Sequence, residues 1–294
     1  MLQIEQRYRT MLQKTDRIDD YFTLYQLMSE LISTRGESRS SGLTDVGLVR
    51  ASNQDSILMD DALGLWLVAD GMGGHAGGAH ASQLAAQVIR QRVCAGDPLN
   101  EAILAAHKRI QDDQRAFPDM ATMGTTVVAL REQAGEWQLC WTGDSRAYQV
   151  RHSSRPLTLQ RLTRDHNVAG MLLAAGALKP EEAERHPQKH VLTDCLGIPG
   201  EKPPRIECCS LDLAPGDWLL LCSDGLTGEL GDQRLEEMLG QGPRDLSAST
   251  QRLLDAALDE GAHDNVSVVL VAAPGEPVAP LPERKGWRRL FRRG

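Results

Sequence analysis

The chain has 294 residues and a formal net charge of -8. That is enough for one large domain or two small ones, and too acidic for non-specific binding to nucleic acid. No apolar run is long enough to span a bilayer, and the charged start "MLQIEQRYRTMLQKTDRIDD" lacks the apolar stretch of a signal peptide. A cytoplasmic chain is expected. The six cysteines, at 94, 140, 195, 208, 209 and 222, show no Cys-x-x-Cys spacing and several lie inside apolar runs. Reduced, mostly buried thiols are expected rather than a disulfide framework or a zinc knuckle.

In chain order, Tyr21, Leu24, Tyr25, Met28, Leu31 and Ile32 recur at helical spacing and predict a helix within residues 1–35. Such a helix either docks a partner or packs on the core. "STRGESRSSG" (33–42) then reads as a flexible linker. "SILMDD" and "LWLVAD" flank a turn containing Gly64 and predict a hairpin. "GGAHASQLAAQVIRQRV" and "PLNEAILAAHKRIQDDQRAF" predict two helices. "GTTVVALRE", "EWQLCWTGD" and "RAYQVRH" predict three strands joined by short turns, and "DWLLLCSDG" and "DNVSVVLVAA" two more. "DQRLEEMLG" and "LSASTQRLLDAALDEG" predict helices. Hairpins alternate with helix pairs and strict β-α-β order is absent, which implies an α+β layering of antiparallel sheets with segregated helices.

Two readings compete in "LCWTGDSRAYQV" (139–150). Cys140 and Arg146 have the spacing of a cysteine-dependent phosphatase loop, whereas Gly143-Asp144-Ser145-Arg146 is an acidic turn suited to a metal. Three more aspartates share that setting. Asp70 ends "LWLVA", Asp224 ends "WLLLCS" and Asp264 starts "NVSVVLV". Asp-Gly is common in turns for structural reasons alone. Four carboxylates at strand ends, however, can converge, and they stay ionised together only with cations; Mg²⁺ or Mn²⁺ suit an all-oxygen donor set. Residues 70–78, "DGMGGHAGG", also fit G-x-G-x-x-A through Gly71, Gly73 and Ala76. A dinucleotide site is disfavoured, because Asp70 would face the pyrophosphate and no acidic residue near position 90 could hold a ribose.

Eight motifs in order resemble the bacterial metal-dependent Ser/Thr protein phosphatases of the PPM (type 2C) family. They are "TDVGLVRASNQD", "LVADGMGGHAGG", "MGTTVV", "TGDSRAY", "LTRDHN", "HPQKHVLTDCLG", "LLLCSDGLTGEL" and "HDNVSVVLV". The resemblance implies two antiparallel β-sheets packed as a sandwich and flanked by helices (α-β-β-α), with a dinuclear metal cleft at one end. It covers 41–273, a phosphatase domain with a flap at about 165–200; the residue pattern leaves an N-terminal helical extension and linker over 1–40 and a Pro-rich linker and basic tail over 274–294.

Carried over residue by residue, Asp70 is similar to the carboxylate that bridges both metals, and the Gly71 carbonyl to a ligand of one of them. Asp224 and Asp264 resemble the ligands of the other. Asp144, with Asp224, matches the site of a third, weaker metal. Arg50 matches the arginine that grips the substrate phosphate, and Asp55 the acidic residue supporting metal-bound water. Gln54 departs from the Glu often found beside it, though its amide oxygen can still accept a hydrogen bond. His75 is the candidate general acid, although eukaryotic members place a His where this chain has Met72; ordering the glycine-rich turn is its other reading. His166 and His190 read as structural hydrogen-bonding residues. Cys140 then reads as a small apolar core residue, and Arg146 as a support of the turn.

The implied activity is hydrolysis of phosphoserine and phosphothreonine on proteins, opposing Ser/Thr kinases, with Mn²⁺ or Mg²⁺ as two ions and a third optional one. Implied partners are phosphoproteins and a cognate kinase pathway, with no nucleic acid and a monomeric state. A different class, a catalytically silent fold that binds phosphoproteins, has no use for all of Asp70, Asp224, Asp264 and Arg50. Phosphatases acting on anti-sigma-factor antagonists are a third reading, less suited to the flap-like insert. Residues 283–294 carry about +5 around Trp287, Leu290 and Phe291. They read either as a solubilising tail or as a weak hold on an anionic membrane or acidic partner.

Overall fold

A computed structural model describes residues 39–74, 77–117, 122–152, 156–198, 200 and 202–275. The expected N-terminal helix, most of the linker, His75 and the basic tail lie outside the described residues.

Two antiparallel sheets face each other. One has the strand order β1 (Ser40–Asp45), β11 (Val266–Ala272), β10 (Trp218–Cys222), β7 (Arg146–Arg151) and β8 (Thr158–Arg161). The other runs β2 (Asp55–Asp60), β3 (Leu65–Met72), β5 (Val127–Gln133), β6 (Glu136–Thr142) and β9 (Glu207–Leu211), with the short β4 (Gly124–Thr125) paired to β3. Helices α1 (Gly77–Cys94) and α2 (Leu99–Ala116) cover the second sheet. Helices α5 (Asp224–Glu229), α6 (Asp232–Gly240) and α7 (Leu246–Asp259) cover the first. Two short helices, α3 (Val168–Ala174) and α4 (Pro180–Ala183), stand apart in the expected flap region.

The continuous apolar runs follow from burial on both faces. Side chains alternate along a strand. On β3, Leu65, Leu67 and Ala69 meet the helices, while Trp66 and Val68 enter the space between the sheets. On β11, Val266, Val268 and Leu270 face the other helix layer, and Val269 and Val271 complete the inner core. The α-β-β-α order therefore yields three apolar layers. Local chemistry supports the helices: Asp245 caps α7 through the Ala248 amide at 2.6 Å, and Asn167 caps α3 through that of Gly170 at 2.8 Å. Among the described residues no helix is long and apolar enough to cross a membrane.

Three expectations need correction. Ser40–Gly42 is not linker but the start of β1, because pairing with β11 from Ser40↔Val271 to Asp45↔Val266 supplies what a Ser/Gly-rich sequence does not advertise. Strands β8 and β9 escaped the sequence pattern; both are short, half-exposed edge strands with polar residues interleaved. The cysteines are not all reduced. Cys140 on β6 and Cys208 on β9 stand opposite in register and form a disulfide, with Cα atoms 4.1 Å apart. Their separation of 68 residues hides this pairing in the sequence. Nor are the thiols mostly buried: Cys195 and Cys222 are, but Cys94 is exposed and Cys209 half-buried.

Candidate metal centre and active site

One end of the sandwich opens into a cavity of about 920 Å³, lined by Arg50, Asp70, Gly71, Asp144, Asp224 and Asp264 among others. Each acidic residue arrives from a different element. Asp70 sits on β3 opposite Asp55 of β2. Asp144 lies in the turn between β6 and β7, and Asp264 in the loop before β11. Asp224 is not the end of a strand, as the apolar run suggested, but the first residue of α5. Two glycines permit the close approach. A Cβ on Gly225 would fall 1.9 Å from the Asn265 carbonyl oxygen, so only glycine lets α5 begin against the start of β11. A Cβ on Gly71 would lie 2.1 Å from the Gly78 carbonyl oxygen and 2.4 Å from that of Gln54.

A hydrogen-bonded frame fixes these positions. The Asp70 amide donates to Thr126 Oγ1 at 3.1 Å, and Thr126 Oγ1 pairs with Ser145 Oγ at 2.7 Å, tying β3 to the Asp144 turn. His166 backs the same turn, accepting the Gly143 amide at Nδ1 over 3.3 Å, with Nε2 at 3.3 Å from Glu207. Its structural reading is the one the contacts support. Asn265 accepts the Gln54 amide at 2.8 Å and donates to the carbonyls of Val46 at 2.9 Å and Ser52 at 3.0 Å. It thereby clamps the loop that carries Arg50. Thr126, Ser145 and Asn265 were missed in the sequence; they stand inside the quoted motifs, yet nothing in their residue type marks them as positioning groups.

The carboxylates share a strained electrostatic setting. Burial pushes Asp55 up to about 7, with hydrogen bonds from Ser267 and Ser223 opposing and the charges of Asp224 and Asp264 adding to the rise. Burial likewise pushes Asp144 up to about 8, aided by Asp224 and Asp165. Asp70 is held well above the usual carboxylate range by desolvation, then by Asp55, Asp224 and Asp144. Asp55 accepts from Ser267 Oγ at 2.7 Å through Oδ2, while its buried Oδ1 has no hydrogen-bond partner. A buried, unpartnered carboxylate oxygen among further carboxylates is a donor set that suits a hard divalent cation. No three His, Cys, Asp or Glu side chains among the described residues already close into a cage. Arg50 has taken both oxygens of Asp264, Nε to Oδ1 at 2.9 Å and Nη2 to Oδ2 at 2.7 Å, and these contacts raise its own pKa.

Gln54 borders the cavity, and its Nε2 lies 3.5 Å from the Gly73 carbonyl oxygen. Met72 lines the cavity as well. His190, read from the sequence as a hydrogen-bonding residue, is exposed; its Nδ1 is 3.5 Å from Asp224 Oδ2, and that contact raises its pKa. Cys140 is disulfide-bonded and packed toward the helices, so it is no nucleophile. Arg146 supports more than its turn. It reaches Asp165 at 2.8 Å and Glu184 at 3.1 Å, joining β7 to the segment that carries α3 and α4.

Residues 49–270 match the family model described as Protein phosphatase 2C. The chain is 35% identical over 238 residues to the serine/threonine protein phosphatase PstP of Mycobacterium tuberculosis, covering 79% of this chain but only 44% of that relative. It thus spans less than half of the mycobacterial protein. It is 32% identical over 247 residues to the serine/threonine phosphatase stp of Listeria welshimeri, covering 78% of this chain and 93% of the relative. The crystal structure of the catalytic domain of PstP in complex with two manganese ions superposes with a TM-score of 0.68 at 32% identity, covering 80% of this chain and 97% of that one. The chain belongs to the protein phosphatase 2C family.

Proposed function

We propose that the chain removes phosphate from phosphoserine and phosphothreonine in proteins, with two Mn²⁺ or Mg²⁺ ions held in the carboxylate cavity and a third in the weaker position. The observation that carries this reading is the convergence of Asp70, Asp144, Asp224 and Asp264 from both sheets onto one cavity that Arg50 also enters. Bound divalent ions supply charge stabilisation and a water acidified toward neutral pH. The chain's own residues do the rest. Asp70 and the Gly71 carbonyl, with Asp224 and Asp264, are the groups to hold the two ions; Asp144 serves the third. Asp55, backed by Ser267, is placed to accept a proton-bearing group through its unpartnered Oδ1, and Gln54 borders the same wall. Arg50 offers a planar fork to the phosphate oxygens, where negative charge builds up during in-line attack. His75 is the proposed proton donor to the leaving Ser or Thr oxygen.

We assign the phosphatase domain to 41–273, with the flap at about 165–200; the basic tail over 274–294 serves either as a solubilising segment or as a weak, reversible hold on an anionic membrane or acidic partner. The enzyme is placed in the cytoplasm, as a monomer opposing a Ser/Thr kinase. A silent phosphoprotein binder is disfavoured, since binding alone does not require three metal carboxylates. The test is kinetic. Asp224→Ala should lose at least about 100-fold in kcat/KM on a phosphothreonine peptide; near wild-type turnover by that variant would contradict the assignment.

A further inference from the structure

A second cavity, of about 330 Å³, opens beside the first and shares Asp144, Lys189, His190 and Asp224 with it. Its roof is apolar, formed by Ala169, Leu173 and Ala174 of α3 with Ala183 of α4. Its floor carries Arg146 and Arg161, whose charge is already spent. Arg146 reaches Asp165 at 2.8 Å and Glu184 at 3.1 Å; Arg161 reaches Glu184 at 3.3 Å and also pairs with Asp165. Asp165 stays below the usual carboxylate range despite the opposing effect of burial, because both guanidiniums face it. A charged occupant would have to compete with the largely buried pairs to Asp165, whereas an apolar one buries surface against the roof at no such cost.

The rim points the same way. Leu48 (68% exposed) and Val49 (63%) immediately precede Arg50, and Val191 (49%) directly follows His190. Met171 (55%) and Leu173 (36%) lie on α3. Single exposed apolar residues are ordinary; of these only Leu173 lines the second cavity, and the others stand within two positions of residues that line one of the two.

We propose that this second cavity receives an apolar side chain of the protein substrate, close in sequence to the phosphorylated residue. Leu173 and Ala174 are then specificity-determining residues. The phosphatase selects phosphothreonine or phosphoserine flanked by Leu, Ile, Val or Met over sites flanked by Glu or Lys. The inference rests on the phosphatase reading above.

The experiment uses the full chain with Mn²⁺ and a panel of phosphothreonine peptides carrying Leu, Ala, Glu or Lys at each of the positions flanking the phosphoresidue. p-Nitrophenyl phosphate, which has no flanking residue, reports the catalytic cavity alone. At one position Leu should exceed Ala by roughly tenfold in kcat/KM, and Glu or Lys by more. Ala174→Trp, which fills the cavity from an exposed position, and Leu173→Asp should each collapse that ratio relative to p-nitrophenyl phosphate. A flat peptide series with normal p-nitrophenyl phosphate turnover overturns the subsite alone, as does an undiminished Leu preference in Ala174→Trp. Absence of p-nitrophenyl phosphate turnover in the wild-type chain overturns the phosphatase reading, and the subsite with it.

Discussion

Arg50 holds both carboxylate oxygens of Asp264, at 2.9 and 2.7 Å, across 214 positions of sequence. The pair links the proposed phosphate clamp to a proposed metal ligand. It is solvent-facing, with side chains 56% and 38% exposed, so it is easily reopened. Arg50→Ala should cost roughly 100-fold in kcat/KM, and Arg50→Lys less, because an ammonium keeps the charge but loses the fork. Steady-state kinetics on a phosphothreonine peptide distinguish these; equal losses in both variants would point to geometry alone.

In metal-free protein, the raised carboxylates predict a definite pH dependence. Folded Asp55 and Asp144 titrate at about 7 and about 8, well above the unfolded value. Between the two, the native state binds protons that the unfolded chain has released. Stability is therefore full below about pH 4 for these groups and is lost as pH rises through 7 to 8. Asp165, shifted the opposite way, acts only in more acidic solution. His107, His152 and His166, all lowered by burial, add stability as pH rises to about 6.5 and so oppose the trend only below that pH. After chelation, Tm should fall between pH 6.5 and 8.5, and added Mn²⁺ should raise Tm most at the higher pH. A chelated protein whose Tm climbs over that interval would contradict the clustered, buried carboxylates.

Cys140→Ser should leave catalysis largely intact, because Cys140 packs toward the helix layer and away from the cavity. It should cost stability, on the order of 2–4 kcal/mol for a lost disulfide. Thiol titration of the unreduced, denatured chain should find only the four free groups Cys94, Cys195, Cys209 and Cys222. Six reactive thiols would show the Cys140–Cys208 pair to be open.

Arg146→Ala should destabilise by about 2 kcal/mol, since it removes one of the two guanidiniums that hold the buried carboxylate of Asp165 and leaves Arg161 as the other. Urea denaturation measures this. A loss confined to activity, with stability unchanged, would place Arg146 in the reaction rather than in the frame.

Much of this architecture was legible because its strands are buried on both faces. "LWLVAD", "DWLLLCSDG" and "DNVSVVLVAA" read as strands without tertiary knowledge, although Asp70 lies inside β3 and Asp224 opens α5 rather than ending β10. What escaped was whatever depends on partners distant in sequence. Ser40–Asp45 is a strand only because β11 lies beside it. The Cys140–Cys208 bond exists only because β6 and β9 share a register. Asn265 reads as an ordinary loop residue until its amide is seen to hold Val46, Ser52 and Gln54. His190 lies 34 residues before Asp224, and only the fold sets it at the cleft.

Mn²⁺ titration of chelated enzyme hydrolysing a phosphothreonine peptide tests the metal centre itself. The carboxylate cavity predicts no turnover in EDTA and saturable recovery with Mn²⁺, strongly weakened in Asp224→Ala. Undiminished hydrolysis in EDTA would contradict it.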